Sequence, residues 1–479
     1  MSGASGWRQD LWLAIGAALQ AHVITLHDGG ALESHCAASL LGAVEATSQG
    51  TPPPVESSHG LAVAFEQRVE AVAPAACAAL SRQGRESSDL AATALHLLLR
   101  QHATQLLEAA LLARLTLIEL AGAHVFTLLP IYAGSSPLQP TNLAHALTAS
   151  IAPLRRATAR LQLALVDLDP VALGAGAMGG GRVVVDRDAV ATLLGAEAPA
   201  ESTIDAVSAT DQFVAASQAA AAVVLPLERL LGEMLALRRQ EPQSLHIDDA
   251  LLSPAERALP HYRAPQVLER CLTDARAVAQ QALLTERAAA AIPFGPRGDA
   301  GDAPALSAAR ALGDAARVCQ TATMLLSGPV DFNRAWLARQ AGRYLMTAGD
   351  LAALLIDEEG LPASAAQEIA ALVAERAASE ELEASGITPG LIDSAALLVI
   401  GQELGVEIER LGAFLAPRRF VEKRSAVGGP APKAVRELLD IESQQVAQDQ
   451  EWLEDRVRRT EAARATLGVR SHELQADAS

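Results

Sequence analysis

Apolar positions recur at three- and four-residue spacing through most of this chain, punctuated by clusters rich in Gly, Pro and Ser. That period predicts amphipathic helices. Residues 11–50 read as two helices broken at "HDGGALES", and "GLAVAFEQRVEAV" begins another. Between them "SQGTPPPVESS" (48–58) reads as a loop, with consecutive prolines flanked by serines. "SRQGRESSD" (81–89) is a second loop, ending in Asp89 where a helix N-cap would sit. A long apolar-periodic segment then runs from Leu90 to Leu129 and stops at Pro130, with "YAGSSPLQP" as the loop beyond. Helices fill most of 142–331, interrupted by the glycine run at 174–181 and by the stretch 241–265. The best strand candidate is "RVVVD" at 182–186.

The fold class is therefore all-α, a bundle of long helices whose loops gather at its ends. The pattern divides into an N-terminal helical domain (1–105), a central long-helix bundle (106–338) and a small C-terminal helical domain (339–440). Residues 441–479 carry charges at helical spacing and read as a solvated terminal helix.

Composition narrows the function classes. Half of the 479 residues are apolar and only 3% are aromatic, so a large aliphatic core is available. A formal net charge of −18 repels phosphate backbones and argues against nucleic acid as a partner. No stretch offers the uninterrupted apolar length of a membrane span. The N-terminal "LWLAIGAALQA" follows Asp10 and a single Arg8, a poor match to a signal peptide. Cys36, Cys77, Cys271 and Cys319 lie far apart without CxxC spacing and read as buried small hydrophobes in a reducing compartment. A cytoplasmic protein is expected.

Local motifs yield little chemistry. "GAGAMG" (174–179) fits GxGxxG, but the strand-like run follows the glycines instead of preceding them, so a tight turn is the better reading. The eleven histidines offer no HxxxH pair and no Cys/His cluster at zinc spacing, so neither a metal nor a cofactor is expected. Asp248/Asp249 and Glu358/Glu359 read as solvated charge. GxSxG and a P-loop are absent.

The order of segments says more. "QAHVITLHDGGALES", "RQGRESSDLAATALHLLLR" (82–100), "LQPTNLAHAL" (138–147), "LGAGAMGGGRVVVDRDAVATLLG" (173–195), "STIDAVSATD" (202–211) and "VEKRSAVGGPAPKAV" follow one another. Together with "AGDLAALLIDEEGLPASAAQEI" they resemble the argininosuccinate lyase branch of the fumarase/aspartase superfamily, over about residues 11–440. The resemblance implies a three-domain all-α fold and a homotetramer with a core of about twenty helices drawn from every chain. It implies a small-molecule substrate and sites built at the corners of the tetramer.

In that family a loop serine removes a carbon-bound proton beside a carboxylate. The resulting aci-carboxylate needs cations and donors to stabilise it. The signature loop GSSxMPxKxNP supplies them, and a threonine–histidine pair assists departure of nitrogen. Here the loop's place is taken by "ALPHYRAPQVLER" (258–270), which keeps Pro260 and Pro265. On that match the lysine position is Tyr262, the asparagine position is Ala264, and the serines fall on Glu256 and Arg257. The threonine–histidine pair falls on Ala133 and Gly134, and the arginine and asparagine of HTGRSRND fall on Ser87 and Ser88. "FGPRGDAGDA" (294–303) keeps at most Arg297 as a cation. Gly84, Arg85, Asp89, Gln139, Pro140, His145, Asp205, Ser208 and Asp211 are retained.

Three readings follow. The first is a diverged lyase forming or breaking C–N or C–O bonds on a less anionic substrate, in specialised biosynthesis. If the loop carries a one-residue insertion, Ser253 replaces the base, and His261, Tyr262 and Arg263 supply acid and electrostatic groups. Arg85, Ser87, Ser88, Gln139 and Arg297 are then the candidate substrate contacts. The second is a non-catalytic member that pairs with an active paralogue, a protein partner or a ligand. The third is a genuine argininosuccinate lyase with rearranged loops. For each loop residue, a simple polar surface is the competing expectation.

Overall fold

One unbroken helix of 37 residues, Ser87–Ala123, forms the axis of the molecule in the computed structural model. The structure describes residues 3–255, 257–290, 292–295 and 299–477, with the side chains of 3–5 and 299–300 left aside. Four helices precede the axial one: α1 (Gly3–Asp28), α2 (Ser34–Ser48), α3 (Ser58–Val72) and the short α4 (Ala75–Ala78). The axial helix, α5, starts at a capping box in which Glu86 is the N-cap and Asp89 the third helical residue. Asp89, the expected cap, thus lies one turn inside the helix, three residues past the actual cap. At the other end, the backbone leaves the helix at His124, six residues before Pro130.

A hairpin follows, β1 (Leu128–Ala133) against β2 (Ser136–Asn142), where the sequence suggested only a loop. Pro137 and Pro140 argue against a strand, yet each strand of a two-stranded ribbon has a free edge where a proline is tolerated. Next come α6 (Leu143–Asp167), α7 (Arg187–Leu193), α8 (Thr203–Ser208), α9 (Asp211–Gln240), β3 (Leu245–Ile247) and α10 (Gln266–Ala289). Then α11 (Ala303–Leu326) leads to β4 (Val330–Phe332), which pairs antiparallel with β3, and to α12 (Arg334–Ala341). Helices α5, α6, α9, α10 and α11 pack along one another as the central bundle. Their interface is aliphatic and rich in alanine, which allows close approach.

"RVVVD" is not a strand. Val184 is 93% exposed and Val185 is buried, and the segment lies against Gly84 rather than against a partner strand. A Cβ on Gly84, whose φ is +74°, would sit 2.4 Å from Val185 Cγ2, so this contact requires glycine.

A second core gathers Leu351, Leu354, Ile369, Val373, Ile392 and Leu411 from α13 (Ala348–Asp357), α14 (Ala363–Ser379), α15 (Pro389–Ile400) and α16 (Ile408–Leu415). After α17 (Pro417–Lys423) the chain returns as α18 (Pro432–Asp477), 46 residues long. This last helix is not the solvated element its charges suggest. It packs on α1, α2, α5, α6 and α7, burying Val446, Leu453, Leu467 and Leu474. Its buried charges are paired: Arg456 with Asp169, and Glu442 with Arg155 and Arg114. No described helix is long and apolar enough to cross a membrane.

The cysteines also depart from expectation. Cys271 and Cys319 are free and buried, but Cys36 on α2 and Cys77 on α4 form a disulfide across a separation of 41 residues.

Candidate functional site

Two groups of the candidate residues occupy separate places in the chain, and no hydrogen bond or ion pair among the described residues joins them. The first lies at the start of α5. Arg85 and Glu66 form an ion pair in which each side chain is only 1% exposed. Ser87 Oγ donates to the other carboxylate oxygen of Glu66 at 2.5 Å. Glu66 sits on the inner face of α3 and is buried, so the Arg85 cation faces inward. Ser88 is half-buried beside it. His22, also buried, meets the Gln83 carbonyl at 2.9 Å. Its pKa lies well below the ordinary histidine value, through burial and then the nearby Arg85 charge.

Asp89 ties this loop to the glycine turn. Its carboxylate accepts from the backbone N–H of Gly174 at 2.9 Å and of Gly176 at 2.7 Å, as well as from Glu86 at 3.1 Å. Burial outweighs these donors and raises its pKa to about 7. The "GAGAMG" glycines make a tight turn, as the sequence suggested, and the structure adds that the turn closes around the Asp89 carboxylate. Close by, His96 bridges the Pro170 carbonyl at 2.8 Å and Gln212 at 3.0 Å.

The second group is the excursion between β3 and α10. At its neck Ser253 N–H donates to the Ala264 carbonyl at 2.8 Å, and Ser253 Oγ accepts from Ala264 N–H at 2.9 Å. Arg263 closes the neck further, donating from Nε to the Ser253 carbonyl at 2.8 Å and from Nη2 to the Asp249 carbonyl at 3.1 Å. His261 and Tyr262 are exposed at the tip, and no hydrogen bond or ion pair engages their side chains among the described residues. The fenced prolines thus produce a pinned loop with a displayed tip. Glu256 and Arg297 lie outside the described residues.

Gln139 stands exposed on β2 opposite Ile131. Nearby, Thr141 Oγ1 and His145 Nδ1 are 2.8 Å apart, while His145 Nε2 lies 3.1 Å from the Gly428 carbonyl. Asn142 donates to the Pro430 carbonyl. The "QPTNLAH" and "GGPAP" segments thus hold each other. The hairpin is anchored to α9 by Gln240, which donates to the Gly134 carbonyl at 2.7 Å. Tyr132 donates to Glu241 at 2.9 Å, and Trp336 donates to the same carboxylate at 3.0 Å. Glu66 and Glu241 were not visible as site residues in the sequence. Each looks like an ordinary helix carboxylate until folding supplies its partners. A cavity of about 500 Å³ between α1, α5, α7 and α18 is lined by Arg100, Thr104 and Arg456, and by none of the candidate residues.

A family model described as lyase matches residues 59–279. The argininosuccinate lyase of Methanoculleus marisnigri is 30% identical over 373 residues, spanning 78% of this chain and 74% of its own. That of Methanosarcina acetivorans is 27% identical over 451 residues, spanning 91% and 88%. Among solved structures, an EDDS lyase in complex with formate superposes with a TM-score of 0.88 at 21% identity, covering 98% of this chain and 92% of the other. A fumarate lyase from Mesorhizobium sp. BNC1 gives 0.71 at 17% identity, covering 91% and 96%. At these identities the two structural likenesses speak to the fold alone.

Proposed function

Because the chain belongs to the fumarase/aspartase superfamily, we propose that it is a lyase diverged from argininosuccinate cleavage. It makes or breaks a C–N or C–O bond on a less anionic substrate, in a biosynthetic role. The observation that carries this reading is the Arg85–Glu66 pair with Ser87 on the same carboxylate. The positions that carry cationic and amide groups in the resembling family are Ser87 and Ser88 here, and the one arginine the loop keeps, Arg85, is turned into the protein. A substrate carboxylate would find only the Ser88 hydroxyl there in place of a charge, since Ser87 Oγ donates to Glu66, losing about 1.5–3 kcal/mol for each missing charge-assisted contact.

In this reading Ser253 is the base. Its oxygen already accepts the Ala264 N–H at 2.9 Å, a donor that stabilises the alkoxide over the hydroxyl. His261 and Tyr262, displayed at the loop tip, supply the proton for the leaving group, and Arg263 holds the neck rather than the substrate. Ser88, Gln139 and Arg297 complete the proposed substrate contacts. The protein works as a homotetramer without a cofactor. Leu225 on α9 and Leu283 and Leu284 on α10 are more than half exposed in the single chain, which supports assembly through these helices.

A second reading, a non-catalytic partner or ligand-binding subunit, is favoured by one observation: Ser253 and Arg263 are both spent on closing their own loop. Turnover separates the two. The purified tetramer is offered argininosuccinate, then amines and alcohols carrying a single carboxylate next to the scissile bond, and alkene formation is followed in the ultraviolet. Elimination from the latter set, with argininosuccinate turned over more than about a hundredfold below an authentic lyase, supports the diverged enzyme. Argininosuccinate cleavage at a comparable rate overturns it in favour of a genuine argininosuccinate lyase. No turnover of anything by a folded tetramer favours the partner reading.

A further inference from the structure

His35 directly precedes Cys36 at the start of α2, and its Nε2 lies 3.4 Å from Cys36 Sγ. Cys77 joins them from α4, so that the ring nitrogen and both sulfurs lie within 4.8 Å of one another. The two sulfurs are buried, at 3% and 2% exposure, while the imidazole reaches solvent. The far ring nitrogen, Nδ1, faces Glu33 Oε2 at 3.3 Å. No cysteine or histidine spacing in the sequence announces this grouping, because a separation of 41 residues is closed only by packing α4 on α2.

We propose that, once the Cys36–Cys77 disulfide is reduced, these three side chains form a site for a single thiophilic divalent cation of the zinc class. Two thiolates and one imidazole make a common three-ligand zinc set with the fourth position open to solvent. The bond lengths of such a site at a tetrahedral angle place its nitrogen and sulfur roughly 3.6 Å apart, close to the 3.4 Å found here. Glu33 stands where a carboxylate orients a ligating histidine. The site opens to water at His35, which gives the ion a way in past two buried sulfurs.

The oxidised and metal-bound forms exclude each other, since a disulfide sulfur is not a thiolate ligand. Reduction by a water-soluble phosphine balances as follows. Phosphorus takes an oxygen from water and becomes the phosphine oxide, the S–S bond accepts two electrons, and two thiols result. Each thiol then releases a proton to solvent as the cation binds.

The test uses the full chain with cobalt(II) as a spectroscopic stand-in for zinc. The phosphine-reduced protein should take up one equivalent, with a thiolate-to-metal charge-transfer band in the near ultraviolet and tetrahedral d–d bands in the visible. Zinc should then bleach both. His35→Ala, at an exposed side chain, should weaken uptake by more than about tenfold. Cys36→Ser and Cys77→Ser should each abolish the charge-transfer band, while Cys271→Ser and Cys319→Ser should leave it intact. Oxidised protein should show none. A reduced chain that keeps its helical circular dichroism but shows no band overturns the site and leaves a structural disulfide only. So does a band unmoved by His35→Ala or retained in Cys77→Ser.

Discussion

Arg85 and Glu66 meet across the interface of α3 and the start of α5, with neither side chain measurably wetted. Deleting one partner of such a pair strands the other charge. Glu66→Ala should therefore cost about 3–5 kcal/mol in urea unfolding, whereas Glu66→Leu with Arg85→Met should recover most of it. A loss below 1 kcal/mol for the single variant would mean that water reaches Arg85.

Asp89 predicts a pH dependence whose sign is set by its raised pKa. Its folded pKa of about 7 exceeds the ordinary value of 3.8, so between these limits the folded chain holds more of the proton. This group's contribution to stability is then full below about pH 4 and declines as pH rises to about 7, by on the order of 2–4 kcal/mol. His22, with its lowered pKa, contributes with the opposite slope, so the variant comparison is the informative one. Asp89→Asn should remove the declining component. Parallel stability–pH curves for the two proteins would show that folding leaves the proton affinity of Asp89 unchanged.

Ser253→Ala should have two separable effects. Loss of the acceptor for Ala264 N–H should speed hydrogen exchange at that amide about tenfold, equivalent to roughly 1.4 kcal/mol of local opening. If Ser253 is the base, turnover should also fall by a factor of about 100 or more. Faster exchange with unchanged turnover would leave the residue a purely structural neck.

Asp169 holds two guanidinium groups, Arg100 from α5 and Arg456 from α18, whose side chains are 8% and 5% exposed. Burial lowers the pKa of both arginines, and the Asp169 charge opposes that. Asp169→Ala should destabilise by about 3–5 kcal/mol and make α18 the first element cut in limited proteolysis. Intact α18 under those conditions would show that its apolar face alone holds it.

The helices were legible because their apolar period is set locally, and the segment order carried the fold beyond them. What could not be read depended on partners distant in sequence. "RVVVD" has the composition of a strand, but Val183 and Val185 meet Gly84 and no second strand among the described residues comes alongside. Pro137 and Pro140 hid a hairpin. The charges of α18 look solvated in sequence, yet Glu442 and Arg456 are buried against arginine and aspartate on α5, α6 and the turn after α6. Of the candidate site, the pinned loop around Pro260 and Pro265 could be located. The inward turn of Arg85 could not, because nothing in "AFEQRVE" distinguishes Glu66 from a solvent-facing glutamate.

The return of α18 to the first helices also sets an order of events during synthesis. Arg470 pairs with Asp28 across 442 residues, and Leu467 and Leu474 belong to the same apolar core as Leu11 and Leu40. A ribosome adding about 5–20 residues per second needs roughly 20–90 s to span that gap. Throughout that time the faces of α1 and α2 that await α18 stand open, a surface on which chaperones can act before the chain itself closes it.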